Sequence, residues 1–562
     1  MKKIVIVQAV IGLLVWLVTL FLLQLPIVER LLLFAMFVVV PLALSLTETK
    51  YRDGTYFKTY VTCVYLYPAA VILAFLSFLF PPGLLAGVLA LGWLIWTGLV
   101  FLFGLQRLLA RGFYIIEEVS IDIGLMYLIL GGAWFTIFQF GLDVMGFGAL
   151  IILLTAIHFH FSAFITPIFA GLLGRVIRQS AAPMPMSYQV ATIGIMISSL
   201  GIALGITYSR VIEFSFVLIF VSCLWIYTYL IVVTHRKRIV NKIAYTLLAI
   251  SSITLLFTMT LSIYYGLGRL LNLTLITIPD MVWLHGIGNA FGFVFLGVIG
   301  WLLLSPKMHR SCYGVSFSKI YGKTKIGSNF FDRHNYRDKK NSCHGLVESI
   351  DCFEQGHFQP NKVHGDIKGF YENTVNYEMK SSTTWHFGFQ TLSFVYNQIS
   401  STIEQLNIPR NEPDEEFVVD NQILAIDSKK DGREKVRAWV RTSRKTGKAV
   451  FVAAYSYHQY EGNKYLNIAL PLPLGQMTGV LRFENPSSGD GMVLTSFGKE
   501  NNKGDEGIYF VTRWFSVRLP LSEHFIIEVP NSSENQITAK HEMWLLGIRF
   551  LSINYLIEKR TT

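Results

Sequence analysis

Met281-Val-Trp-Leu-His285-Gly-Ile-Gly288-Asn289-Ala-Phe-Gly292-Phe-Val-Phe-Leu-Gly-Val-Ile-Gly-Trp-Leu-Leu-Leu304 is the last long apolar run of the chain, and a more polar composition follows it. At about 100° per residue, His285, Gly288, Asn289, Gly292, Leu296 and Ile299 share one helix face. A histidine, an amide and two glycines therefore form a stripe inside an otherwise apolar helix.

Working outward, a chain of 562 residues with 52% hydrophobic and 15% charged side chains lies outside the soluble range. Spans of roughly 20 apolar residues cross a bilayer. Ten runs qualify: 4–23, 27–46, 60–80, 84–103, 119–140, 147–172, 190–206, 211–233, 243–264 and 281–304. The first lacks a small-residue cleavage site and reads as an uncleaved spanning helix. With the amino terminus inside, the inner connections hold Lys2, Lys3, Lys50, Arg52, Arg107, Arg111, Arg175, Arg178, Arg236, Lys237, Arg238 and Arg310, among others. The outer ones hold only Arg30, Arg210 and Arg269. That bias predicts two cytoplasmic termini. It also absorbs part of the net charge of +11, which is scattered and forms no nucleic-acid stripe. Five cysteines, Cys63, Cys223, Cys312, Cys343 and Cys352, make no disulfide framework.

Polar groups inside apolar spans are costly and point to partners or cavities. The sixth span carries His158-Phe-His160-Phe, and it runs in the same direction as the tenth. On this topology His158 lies roughly 15 Å, and Asn289 roughly 12 Å, below the outer ends of their spans. They are expected to meet in the outer leaflet. Residues two apart on an α-helix point about 200° apart, so His158 and His160 cannot share one ligand without distortion. One reading makes His158 or His160, with His285 and Asn289, a transition-metal, haem or proton-relay site, as in an intramembrane histidine enzyme or proton-coupled transporter. The plainer reading is hydrogen bonding between helices, with Gly288 and Gly292 allowing close packing. Glu117, Glu118 and Asp122 open the fifth span and read as complements to its helix dipole.

The two histidine motifs, His158-Phe-His160-Phe and His285-Gly-Ile-Gly288-Asn289-Ala-Phe-Gly292-Phe, together resemble the YndJ-like family of integral membrane proteins from Bacillus and its relatives. The resemblance covers roughly residues 1–305, and the last-span motif is the more specific. It implies a bacterial plasma-membrane protein and contributes no substrate.

Beyond the helical bundle of residues 1–305, residues 306–380 read as an irregular linker. Its Cys343-His344, Cys352, His357 and His364 lack zinc-site spacing. Residues 381–562 read as a cytoplasmic α+β domain. An amphipathic helix is predicted over 385–406, with Leu392, Val395, Tyr396, Ile399, Ile403 and Leu406 on its apolar face. Strand-like segments then follow at 417–426, 436–444, 450–460, 465–472, 477–483, 492–497, 508–517, 525–529 and 537–544. They predict a curved antiparallel sheet of about eight strands that curls into a barrel or grips a helix; residues 545–559 read equally as strand or helix. The element order is distantly similar to lipocalin-type or START-type folds, with no matching motif. A curved sheet of this size either holds an apolar ligand such as a lipid or fills its own core. Hydrolase, dinucleotide and phosphate-loop motifs are missing.

Overall fold

The computed structural model describes residues 1–179, 183–308, 314–386, 388–408, 417–487, 489–498, 504–530 and 536–560. Arg310 and Cys312 lie outside them. Two compact units divide the chain, 1–313 and 314–562.

The first unit is a bundle of ten long apolar helices: α1 (Lys2–Leu22), α2 (Ile27–Leu46), α3 (Lys58–Ser77), α4 (Leu84–Arg111), α5 (Ile116–Phe140), α6 (Ala149–Arg178), α7 (Met186–Tyr208), α8 (Arg210–Thr234), α9 (Lys242–Leu271) and α10 (Ile278–Leu304). Each is long and apolar enough to cross a bilayer. α2 is the most enclosed, with 83% of its apolar window buried inside the unit. A π-helical stretch over Ala35–Val39 directly precedes the proline at position 41, a local change of winding that accommodates its missing N–H.

The carboxylates at the start of α5 do more than complement a dipole. Asp122 Oδ1 accepts from Arg107 Nε at 2.6 Å, and its other oxygen pairs with Arg111. Glu118 accepts from Arg175 Nε at 2.6 Å, Arg111 Nη1 at 2.7 Å and Arg107 Nη2 at 2.9 Å. Glu117 accepts from Arg178 Nε at 2.9 Å. Arg107 also donates to the Thr47 carbonyl at 2.7 Å, so the network ties the ends of α2, α4, α5 and α6. Breaking such a buried network by removing one member generally costs about 3–5 kcal/mol, because the remaining charges stay uncompensated.

The second unit corrects the expected curved antiparallel sheet of about eight strands. It is a closed barrel. Among the described residues twelve strands form, β1 (Tyr377–Trp385), β2 (Phe417–Ala425), β3 (Arg437–Ser443), β4 (Ala449–Tyr460), β5 (Asn463–Leu472), β6 (Gly475–Glu484), β7 (Met492–Thr495), β8 (Gly507–Val511), β9 (Ser516–Arg518), β10 (Leu521–Glu528), β11 (Gln536–Leu545) and β12 (Ile548–Lys559). Ten of them pair antiparallel in a ring, β1-β2-β3-β4-β5-β6-β7-β10-β11-β12 and back to β1. β8 branches from the other half of β6 and carries β9. Closure has a physical reason: β1 bonds β12 over nine consecutive residue pairs and β2 over three, so neither edge stays open. β1 lies within residues expected as linker and start of a helix. Its Tyr-Glu-Met-Lys-Ser-Ser-Thr-Thr-Trp sequence hides the period of two behind small polar residues.

Inside the barrel, Tyr377, Met379, Trp439, Tyr455, Leu466, Leu481, Ile527, Ala539 and Ile557 share one apolar cluster with Ile350, Phe353, Phe358, Ile367, Phe370 and Tyr371 from the preceding segment. That segment fills part of the interior from within the sequence before β1, including α11 (Gly365–Glu372). Ile320, Ile326, Phe330 and Phe331 cover the outer face of β2 to β5, packing on Leu424, Ala438, Val440, Val452 and Ala469. α12 (Gln390–Ile403) follows β1 and packs through Tyr396 against Trp385.

Candidate functional site

Two cavities merit description, one in each unit. The helical one has a volume of about 490 Å³ and is lined by His158, Glu213, Ser262, Arg269, His285 and Asn289 among mostly apolar side chains. The structure brings His158, His285 and Asn289 together: the two imidazoles stack with centroids 6.4 Å apart. His285 Nδ1 donates to the Thr258 carbonyl at 2.9 Å, and Asn289 Nδ2 donates to His285 Nε2 at 3.2 Å. Thr258 Oγ1 then donates to Asn289 Oδ1 at 2.7 Å, closing a ring of hydrogen bonds between α9 and α10. A carbonyl can only accept, so His285 carries its proton on Nδ1. The same holds for His158, whose Nδ1 lies 2.7 Å from the Leu154 carbonyl.

His160 is set apart. Its Nδ1 donates to the Ala156 carbonyl at 2.8 Å and its Nε2 accepts from Trp93 Nε1 at 2.9 Å, deep against α4 and fully buried. Both nitrogens are used, which suits a structural role. Between the two histidines α6 widens to a π-helical turn over Phe159–Ala163. Gly288 and Gly292 abut α9: an added Cβ would come within 2.8 Å of Thr258 Cγ2 and 2.6 Å of Thr254 Cγ2. Glu213, on the cavity wall, pairs with Arg269 at 3.3 Å. Among the described residues no three His, Cys, Asp or Glu side chains converge as a metal site. Thr258 and Ser262 escaped the sequence reading because hydroxyls in an apolar helix ordinarily bond their own preceding turn.

The barrel cavity is larger, about 600 Å³, and its wall is mostly apolar and aromatic. It opens beside α12, where Leu392 and Ile399 line the cavity yet are 57% and 58% exposed. Besides tyrosines, the ionisable side chains on its wall among the described residues are Arg441, Glu523 and His541. His541 Nε2 lies 3.2 Å from Glu523 Oε2, and its ring stacks on Phe525 at 3.8 Å. Gly479 makes room for that carboxylate, since a Cβ there would lie 2.4 Å from Glu523 Oε1. The Arg441 guanidinium sits 4.1 Å from the Phe451 ring centre and 4.7 Å from that of Trp439. Burial holds the Tyr455 phenol well above its ordinary pKa, so it stays a neutral donor. These groups were legible only through strand parity: Arg441 alternates with Trp439, and Trp439 marks the inner face of β3.

The model of the family described as YndJ-like protein matches residues 30–293. The uncharacterized membrane protein YndJ of Bacillus subtilis (strain 168) is 39% identical over 492 residues, covering 87% of this chain and 86% of that protein. The chain belongs to the YndJ-like family. It is accordingly a multi-pass bacterial membrane protein. The family match lies wholly within the helical unit, whereas an alignment as long as that with the Bacillus subtilis YndJ protein must extend well into the barrel. No solved structure matches the chain.

If the polar stripe of α10 serves to join helices, Thr258 and Asn289 are energetically coupled. A double-mutant cycle of Thr258→Ala and Asn289→Ala, read by unfolding of the detergent-solubilised chain, is expected to give a coupling of about 0.6 kcal/mol. Strict additivity would contradict it.

Proposed function

We propose that this YndJ-like protein binds a lipid or another apolar, amphiphilic molecule inside its barrel, and that the barrel lies on the cytoplasmic side of the plasma membrane. The observation that carries the reading is the cavity of about 600 Å³ in a closed barrel. That volume falls within the range of small-molecule sites, about 300–1,000 Å³. A core meant only for stability packs to high density and leaves few voids larger than a water molecule. A lumen of this size, apolar throughout most of its wall and open at one side, is instead suited to an apolar guest.

The opening supports the same reading. Leu392, Phe394, Val395 and Ile399 on α12 are all more than half exposed. Apolar side chains clustered on one exposed helix mark an interaction surface, and a bilayer is the natural source of an apolar ligand. The excess of lysine and arginine in the inner connections supports the cytoplasmic placement.

Ala539 faces the lumen on β11. Substitution Ala539→Trp is expected to fill the lumen and abolish one class of co-purified ligand in native mass spectrometry of the full-length protein. Lipid around the helices should be retained equally by both proteins. Equal ligand content in the two would contradict the proposal. For the orientation, a reporter enzyme active only in the cytosol, fused after the last strand, is expected to be active; an inactive fusion with a full-length product would overturn that placement.

A further inference from the structure

Resting on the reading of the barrel as an apolar binding cavity, we propose that its ligand carries a single acyl chain with a compact anionic head, a carboxylate or a phosphate, and that Arg441 binds the head.

Arg441 lies on β3 between Asn421 of β2 and Phe451 of β4, on the strand face that points into the lumen with Trp439. Three aromatic rings surround its guanidinium, those of Phe451, Trp439 and Tyr555, at 4.1, 4.7 and 5.8 Å. Its Nε is buried and lacks a hydrogen-bond partner, and no carboxylate among the described residues pairs with it. The buried arginines Arg433 and Arg482 of this unit behave differently. Arg433 is held by Asp431 at 2.6 Å, and Arg482 by Glu506 at 3.0 Å. The cavity's own carboxylate, Glu523, is already engaged by His541.

A cation partly withdrawn from bulk water without a counter-ion carries a cost, and ring faces return only part of it. An anion entering the lumen supplies the missing partner, and a guanidinium fork matches the planar carboxylate or the phosphate in bidentate fashion. Tyr455, held neutral by burial, lines the same lumen with its ring 5.8 Å from that of Trp439 and offers a further donor. Size sets the chain count. A cavity of about 600 Å³ falls in the range that takes one small molecule, about 300–1,000 Å³, and so matches a single-chain amphiphile.

The test is a native mass-spectrometric titration of the delipidated full-length protein in neutral detergent with oleate, oleyl phosphate and oleyl alcohol. The lumen-filled Ala539→Trp protein gives the uptake elsewhere. The wild-type protein is expected to bind at least one of the two anions about tenfold or more tightly than the alcohol, as a charge-assisted hydrogen bond requires. The anion preferred names the head. Arg441→Met is expected to lose that advantage while binding the alcohol as before, and Arg441→Lys to retain part of it. An unchanged unfolding temperature for Arg441→Met shows that the barrel persists. Equal affinity for anions and alcohol, or equal weakening of both in Arg441→Met, overturns the assignment of the head and leaves the apolar cavity standing. Binding of none of the three above the Ala539→Trp background overturns the cavity reading as well.

Discussion

The pairing of β1 with both β2 and β12 is the constraint on which the second unit depends. Without it the sheet would have two long edges, each a row of unsatisfied backbone groups. With it, ten strands close, and barrel diameter grows with strand number. An eight-stranded barrel is just wide enough for its own side chains to fill; a ten-stranded one encloses more space than its inward residues occupy. The chain fills part of the surplus with Phe353, Phe358 and Phe370 from the segment before β1. What remains is the lumen, and the groups around Arg441 and Glu523 acquire their meaning from being enclosed by it.

The helical unit is held by different physics. Between helices in a bilayer there is no hydrophobic gain from leaving water, so close packing and polar pairs decide the arrangement. Gly288 and Gly292 bring α10 against α9, and the Thr258, His285 and Asn289 bonds fix the contact. At another point the arginines of α4 and α6 converge on Glu118 and Asp122. Both clusters are internally satisfied to a large degree. Arg441 is the contrasting case, a half-buried cation whose buried Nε has no hydrogen-bond partner and whose guanidinium lies against aromatic faces, and this contrast directs the functional reading toward the barrel.

Much of the helical bundle was legible in the sequence because the bilayer imposes a length and a hydropathy on every span. Depth along each span paired His158 with Asn289, and both line one cavity; the contact of His158 with His285, shallower on its own span, was not legible from depth. That His160 faces Trp93 instead was legible only as an exclusion, since the angle between residues two apart does not say which of them faces the tenth span. The ionic network around Glu118 was hidden because its arginines sit 7 to 57 positions away from it, on two other helices. In the barrel, most strands showed their alternation, but closure is a property of pairs distant in sequence. β1 and β12 join residues 377 and 559, and no local pattern announces that contact. Nothing local in the sequence marks Arg441 as inward-facing either; its placement follows from the inward parity of Trp439 two residues before it.

The most direct test of a ligand-holding barrel is a high-resolution cryo-electron microscopy map of the full-length protein extracted from its native membrane without stripping lipid. The account predicts elongated density along the lumen, ending within hydrogen-bonding distance of the Arg441 guanidinium. A lumen collapsed onto its own side chains, or holding ordered water alone, would contradict it.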